Sequence, residues 1–277
     1  MIGAAAGASL LALTWVVTFH VTLAQRVDRS VLRGFAGLQR GRLNVIADFV
    51  AGLCDPDPYV FLAAIPVVIA LLRRRPRVAV TVGLIMLGAN ASTEMLKPLL
   101  ATPRLLTIKG LPAGAETWPS GHATAVMALA LCVVIAAPPR LRPSAGAAMA
   151  AFAIAVCYSF LELGWHYPSD VLGGFLMAVT WTLLGTGALW WVEARRPVRR
   201  RELTPAGRPQ FSVLEALAPT AALILAALFL AGVVALARPH AVVAYASAHS
   251  LFILGAAAIA LVVLTLATAA TLVLRRS

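Results

Sequence analysis

Six polar residues in three short stretches carry the chemistry of this sequence: Lys97 with Arg104, Ser120 with His122, and His166 with Asp170. Together they suit a phosphoryl group. Lys97 and Arg104 supply fixed positive charge, and a guanidinium adds paired donors matched to phosphoryl oxygens. In "PSGH", Pro119 suits the first position of a helix. Ser120 and Gly121 then offer a hydroxyl and unhindered backbone N–H groups at the positive end of the helix dipole, where an anion binds readily. His166 and Asp170 are four apart in "GWHYPSDVLGG". A carboxylate near an imidazole fixes its tautomer and stabilises the charged form, so one ring nitrogen becomes an effective nucleophile. His122 is then free to protonate a leaving oxygen. Metal binding is the rival use of two His and an Asp, but the spacing is not tight and Lys97 and Arg104 sit badly beside a cation.

The elements that must position these residues are membrane helices. Of the 277 residues 61% are hydrophobic and 12% charged, and apolar runs recur throughout. Eight spans are expected: Ile2 to Ala24, Pro58 to Leu72, Val78 to Leu100, Gly121 to Ala137, Ala145 to Leu163, Val171 to Val192, Phe211 to Ala237 and Ser247 to Leu274. The second is short; it works if Asp57 caps it, Pro58 opens it and Arg73 to Arg75 snorkel outward. The first lacks a basic leader and is read as an uncleaved anchor.

Threaded alternately through a bilayer, the spans segregate the 23 basic residues. One side collects Arg73 to Arg77, Arg140, Arg142, the run from Arg195 to Arg208, Arg275 and Arg276; the other keeps nine. The richer side is cytoplasmic by the positive-inside rule, with both termini inside. The net charge of +12 therefore reports topology and not nucleic-acid binding. All six polar residues fall at the extracytoplasmic ends of their helices. Ionisable groups at such depth cost ~2.5–3.5 kcal/mol each even on lenient insertion scales, so their convergence marks a site.

Residues 27–53 read as one or two amphipathic surface helices, ended by "DPDP" at Asp55 to Pro58. Cys54, Cys132 and Cys157 imply neither a disulfide framework nor a metal site. Glu94 lies one turn before Lys97 and suits a pair with it; Glu116 and Glu162 read as solvated rim. His20, His240 and His249 read as structural or interfacial, Trp118 and Trp165 as interface anchors at least as readily as substrate contacts, and Gly83, Gly88 and Asn90 as helix contacts. A basic linker over 193–210 precedes two further spans, in which Glu215 and Pro219 suggest a kink or a helix contact; a stabilising or docking role is the default for them.

The three polar stretches resemble the signature of the type 2 phosphatidic acid phosphatase superfamily of integral membrane lipid phosphate phosphatases. "KPLLATPR" matches through Lys97 and Arg104, "PSGH" is complete at Pro119 to His122, and "SFLELGWHYPSD" matches through Ser159, His166 and Asp170. The resemblance spans about Ile2 to Val192. It implies an all-α polytopic bundle with a six-helix core over 1–192, to which residues 211–277 add two helices. It also implies a reaction without metal or cofactor: His166 attacks phosphorus, Asp170 supports it, His122 handles the leaving-group proton, and Lys97, Arg104, Ser120 and Gly121 hold the phosphoryl group. A lipid phosphate would be the substrate, drawn from the membrane lipids. Two positions depart from the pattern. Leu105 replaces a Pro, and Phe160 replaces an Arg that contacts phosphate in the family. Lys109 and Arg238 are candidate substitutes, and a silent lipid-binding relative or a lipid phosphotransferase are the alternatives. By analogy, the Ala-rich, Arg-over-Lys composition of high-GC bacteria points to a prenyl diphosphate carrier of envelope synthesis, such as undecaprenyl diphosphate, in the cell membrane.

Overall fold

The computed structural model describes residues 2–39, 41–105, 107–108, 110–114, 116–195 and 211–276. Among them lie eleven α-helices and no strand, a membrane helix bundle. In chain order they are α1 (Ile2–His20), α2 (Thr22–Ala36), α3 (Gly41–Gly52), α4 (Pro56–Leu72), α5 (Pro76–Leu99), α6 (Gly121–Ala136), α7 (Arg142–Glu162), α8 (Pro168–Arg195), α9 (Val213–Ala237), α10 (Pro239–Ala248) and α11 (Ser250–Val273). Six pass as spans by length and composition, and α3 with α4 make a seventh if that pair, bent by 55°, crosses as one. The protein is a multi-pass membrane protein.

The centre is α6. Its sixteen residues are apolar on all sides and almost all buried, with α4, α5, α7 and α8 packed around it. A helix that is hydrophobic all round belongs inside. Shielded from lipid, it is shorter than the other spans. Small residues bring its neighbours close: a Cβ on Gly88 of α5 would lie 2.4 Å from the Trp181 ring of α8, and one on Gly7 of α1 would lie 2.5 Å from Thr180.

Several expectations need correction. The first span stops at His20, where extended Val21 (φ −108°, ψ 108°) starts α2. That helix is not laid on the surface by its polar face. Gln25 and Asp28 are buried along with Val31, Leu32 and Phe35, and α2 is clasped by α7 and α11. The fourth helix begins two residues early, with Asp55 at the N-cap and Pro56, not Pro58, opening it. Arg73 does not snorkel; its guanidinium donates to the Ala136 and Ala137 carbonyls at 2.6 and 2.9 Å, closing the C-terminus of α6. Gly83 meets nothing within 4 Å. Trp118 is buried, at 1% exposure, and is no interface anchor. Glu215 forms a capping box with Ser212 at the start of α9.

At the C-terminus α11 packs on α2, α6 and α7, while α9 leans on α7 and α11 and leaves most of its surface bare. Tyr158 donates to the Ala256 carbonyl at 2.6 Å, and Tyr245 to that of Gly34, so α7 and α2 are tied to the last two helices. Most of the expected linker, residues 196–210, lies outside the described residues.

Candidate functional site

The C-terminal ends of α5 and α7 and the N-terminal ends of α4, α6 and α8 meet at one end of the bundle. Each polar stretch arrives there for a local reason. Ser120 is the N-cap of α6: its hydroxyl accepts from the Ala123 N–H at 3.2 Å, and its own N–H donates to the Asp170 carbonyl at 3.0 Å. The Gly121 and His122 N–H groups, first in the helix, have no intrahelical acceptor. Pro168 sits in the first turn of α8, and Asp170 there accepts from the Tyr167 N–H at 2.8 Å, a back-bond that sets its carboxylate. The two helix starts touch because α8 has glycines facing α6. A Cβ on Gly174 would fall 2.7 Å from the Ser120 oxygen and 2.8 Å from the Thr124 nitrogen; one on Gly173 would fall 2.7 Å from the Trp118 indole nitrogen.

The two histidines face one another, ring centroids 6.0 Å apart, and are held differently. His166 is 8% exposed; its Nδ1 lies 3.2 Å from the Thr117 carbonyl and 3.7 Å from Asp170 Oδ2. A carbonyl only accepts, so Nδ1 carries the proton and Nε2 keeps a lone pair. His122 has its Nε2 3.0 Å from Asp55 Oδ1, and lines a cavity of about 760 Å³ that His166 does not reach. Phe160, fully buried, packs against both rings, 5.9 Å from His122 and 5.2 Å from His166. Trp165 flanks His122 at 5.5 Å.

The cations are engaged. Lys97 Nζ meets Glu94 Oε1 at 2.6 Å, and the pair closes over Gly121, where a Cβ would lie 2.9 Å from Glu94 Oε1 and 3.1 Å from Lys97 Nζ. Arg104, with 2% of its side chain exposed, donates to Asp28 at 2.9 Å, to Ser169 at 3.2 Å and to Asp170, between the rings of Phe19 and Tyr167. Its donors face carboxylates and not an open anion site. Asp28 also accepts from the Ser169 N–H at 3.0 Å and from the Ser169 hydroxyl, so α2 caps α8 from outside. Burial raises the Asp28 carboxyl to about 6, against the pull of Arg104 and Ser169.

Asp28, Asp55 and the Thr117 carbonyl are thus parts of the site that sequence reasoning did not single out. The only legible signal was Asp in "DPDP" and in the polar face of α2. Of the substitutes considered for the cation missing at Phe160, Lys109 lies outside the described residues. Arg238 ends α9, with no contact to the site among the described residues. The described residues hold no cluster of three or more His, Cys, Asp or Glu arranged for a metal.

From His122, Lys97 and Gly121 the cavity runs between α4 and α5 along Tyr59, Ala63, Val67, Gly83 and Met86. Lys97 to Gly83 is fourteen helical positions, roughly 21 Å at 1.5 Å per residue. A polar mouth opens into a long apolar groove.

Residues 78–197 match the model of the PAP2 superfamily. That matched segment runs from α5 to the end of α8. It contains Lys97, Arg104, Ser120, Gly121, His122, His166 and Asp170, while Asp28 and Asp55 come from outside it. The fold is similar to the crystal structure of a transmembrane PAP2 type phosphatidylglycerolphosphate phosphatase from Bacillus subtilis, at 18% identity and a TM-score of 0.52, over 73% of this chain and 100% of that one. No curated protein matches the chain.

Proposed function

We propose that the protein is an integral membrane lipid phosphatase that releases phosphate from a prenyl (di)phosphate or phospholipid through a phosphohistidine, with residues 1–192 as the catalytic core. One observation carries the reading: His166 has Nδ1 held by the Thr117 carbonyl beside Asp170, which leaves Nε2 as the nucleophile, 6.0 Å between ring centroids from a second histidine at the mouth of an apolar groove. The PAP2 segment supports it. The lipid chain lies along α4 and α5. Lys97, the free N–H groups at Gly121 and the helix that Ser120 caps hold the phosphoryl oxygens, and Arg104 contributes its charge from behind Asp170. His166 Nε2 forms the bond to phosphorus as the bond to the leaving oxygen breaks, and His122 gives that oxygen its proton. Water then attacks the phosphohistidine, His122 takes the water proton, and the N–P bond breaks to restore His166. The residues provide cations and a helix N-terminus where other phosphatases use metals, so activity should survive a chelator.

Phosphate release by purified protein from prenyl diphosphates, phosphatidylglycerophosphate and phosphatidate, with EDTA present, tests this. Acid-labile phosphoenzyme should appear, and Zn²⁺-dependent activity would overturn the metal-independent mechanism. The arginine segregation supports an extracytoplasmic site with both termini inside: a label near Ala113 should react from outside the cell, and a reporter after Arg201 should be cytoplasmic. A second reading, a silent lipid-binding relative, is favoured by Phe160, which packs against both histidines where the family has a cation. Transfer to an alcohol in place of water uses the same first step and shows in the same assay as a new phospholipid.

A further inference from the structure

Asp55 stands at the apex of the 55° bend between α3 and α4 and is the N-cap of α4. An Asp at an N-cap normally turns its side chain back to accept an N–H of the first turn. This one makes no cap bond. Its Oδ1 instead meets His122 Nε2 at 3.0 Å, across 67 positions of sequence. Both residues sit at the open mouth of the site, Asp55 half exposed at 52% of its side chain and His122 at 20%. The other charged groups around His122 are Lys97 and Glu94 over Gly121 and the facing ring of His166.

The consequence is a question of which nitrogen works. A carboxylate accepts and does not donate, so the neutral His122 ring bonded to it carries its proton on Nε2 and its lone pair on Nδ1. His166 is the reverse, with Nδ1 carrying the proton toward Thr117. We propose that Asp55 is a positioning residue for His122, holding it in the Nε2–H tautomer so that Nδ1 is the atom that exchanges protons with the leaving group and with water. This rests on the phosphatase reading for its catalytic half and on geometry alone for its tautomer half. In the protonated ring both nitrogens carry hydrogen; Nδ1–H passes to the leaving oxygen, and the carboxylate stabilises the imidazolium before the transfer. The bend in "DPDP" then has a purpose beyond ending a helix, because it carries a carboxylate from outside the PAP2 segment to that segment's first histidine.

Two measurements on the full-length protein in detergent test it. Nitrogen-15 NMR of histidine-labelled protein, with His122→Gln to assign the signal, should show neutral His122 as the Nε2–H tautomer, and Asp55→Ala should abolish that bias while Asp55→Glu restores it. Kinetics supply the second readout. Asp55→Ala should slow release from an alkyl phosphate roughly 10- to 100-fold, less than the ~10²–10⁴ expected for loss of the acid itself. It should leave the pre-steady-state burst of p-nitrophenol from p-nitrophenyl phosphate, whose leaving group needs no proton, within about twofold, and add nothing to His122→Ala. A wild-type His122 in the Nδ1–H tautomer overturns the proposal. So does an Asp55→Ala protein whose alkyl release and p-nitrophenol burst fall together, and in that case the phosphatase reading stands. If the wild type releases no phosphate from any lipid, that reading fails, and the NMR result alone decides the role of Asp55.

Discussion

The two ends of the bundle use charge in opposite ways. At the end away from the site, arginines close helix C-termini: Arg73 donates to the last carbonyls of α6, and buried Arg142 donates to the Leu274 carbonyl beyond α11. A cation on a helix C-terminus satisfies orphan carbonyls and the negative end of the dipole. At the site end, carboxylates gather at helix N-termini: Asp170 in the first turn of α8, Asp28 on the Ser169 N–H, Asp55 at the N-cap of α4 and Glu94 beside Gly121 of α6. Among the described residues, two cations, Lys97 and Arg104, are paired with these acids. At the far end Arg73 and Arg142 hold helices together. At the site end charge is arranged so that an incoming phosphate must compete with anions already present.

The largest contrast is expected from one substitution at each end. His166→Ala should remove phosphate release from any lipid substrate together with the acid-labile phosphoenzyme, because no other residue in the cluster is placed to form that bond. Arg73→Ala should leave kcat and KM within about twofold and lower only the melting temperature. A folded His166→Ala protein, checked by size-exclusion profile, that still releases phosphate at the wild-type rate would remove His166 from the mechanism.

Next in size is Asp28, the carboxylate that joins α2 to the site. Its carboxyl is raised to about 6 from 3.8, so the folded protein favours the protonated form. The stabilising contribution is complete below about 4 and is lost as pH rises through about 6. The difference is about 3 kcal/mol at most, at 1.36 kcal/mol for each pKa unit. Relative to Asp28→Asn, the wild type should therefore lose stability between pH 4 and 6 and show a constant difference above that. A difference that is flat over this range would mean that Arg104 and Ser169 offset the burial fully.

Which parts of this were legible in the sequence follows from how each part signals itself. The three motif stretches did so by spacing, and the start of α6 at Gly121 was expected, though Ser120 caps it and Pro119 lies before the helix; α8 instead starts at Pro168, three residues before the expected Val171, because proline suits a first turn. The central place of α6 was not readable from periodicity, because a helix apolar on every side has no face to report. Asp28 was hidden for the opposite reason. In an amphipathic helix the polar stripe is normally read as facing water, whereas here that stripe faces Arg104 and Ser169. Asp55 looked like a turn residue, since pairing at a distance of 67 positions leaves no local trace. The Thr117 carbonyl is backbone, and any residue could supply it.

At the far end, Arg142→Met tests how much the capping arginines contribute. The Arg142 side chain is buried and its guanidinium serves the Leu274 carbonyl. Loss of a hydrogen bond from a charged donor is worth ~1.5–3 kcal/mol, and Met keeps much of the packing. Thermal denaturation in detergent should show destabilisation of that order with catalysis intact. A matching loss of kcat would mean that the two ends are coupled through α7.

The smallest effect, and the one that bears most directly on the shortage of cations at the site end, is expected from Phe160→Arg. Phe160 is fully buried against His122 and His166, so an arginine there would enter a space lined by two imidazoles, each with a carboxylate partner, Asp55 and Asp170. The substitution adds a cation beside the two histidines, where the resemblance leads one to expect an arginine. It also removes a ring that fills the gap between the histidines. If the phosphate enters between the two rings, the new guanidinium meets it there, and affinity for a monophosphate lipid should rise by about tenfold, about 1.4 kcal/mol. In that case KM falls and the pH dependence of kcat is unchanged. If the arginine pairs instead with Asp170, as Arg104 already does, KM stays at the wild-type value and kcat falls, because the carboxylate beside His166 is drawn away. The split between KM and kcat thus separates a site that lacks a cation for its substrate from one whose own acids claim every cation it is given.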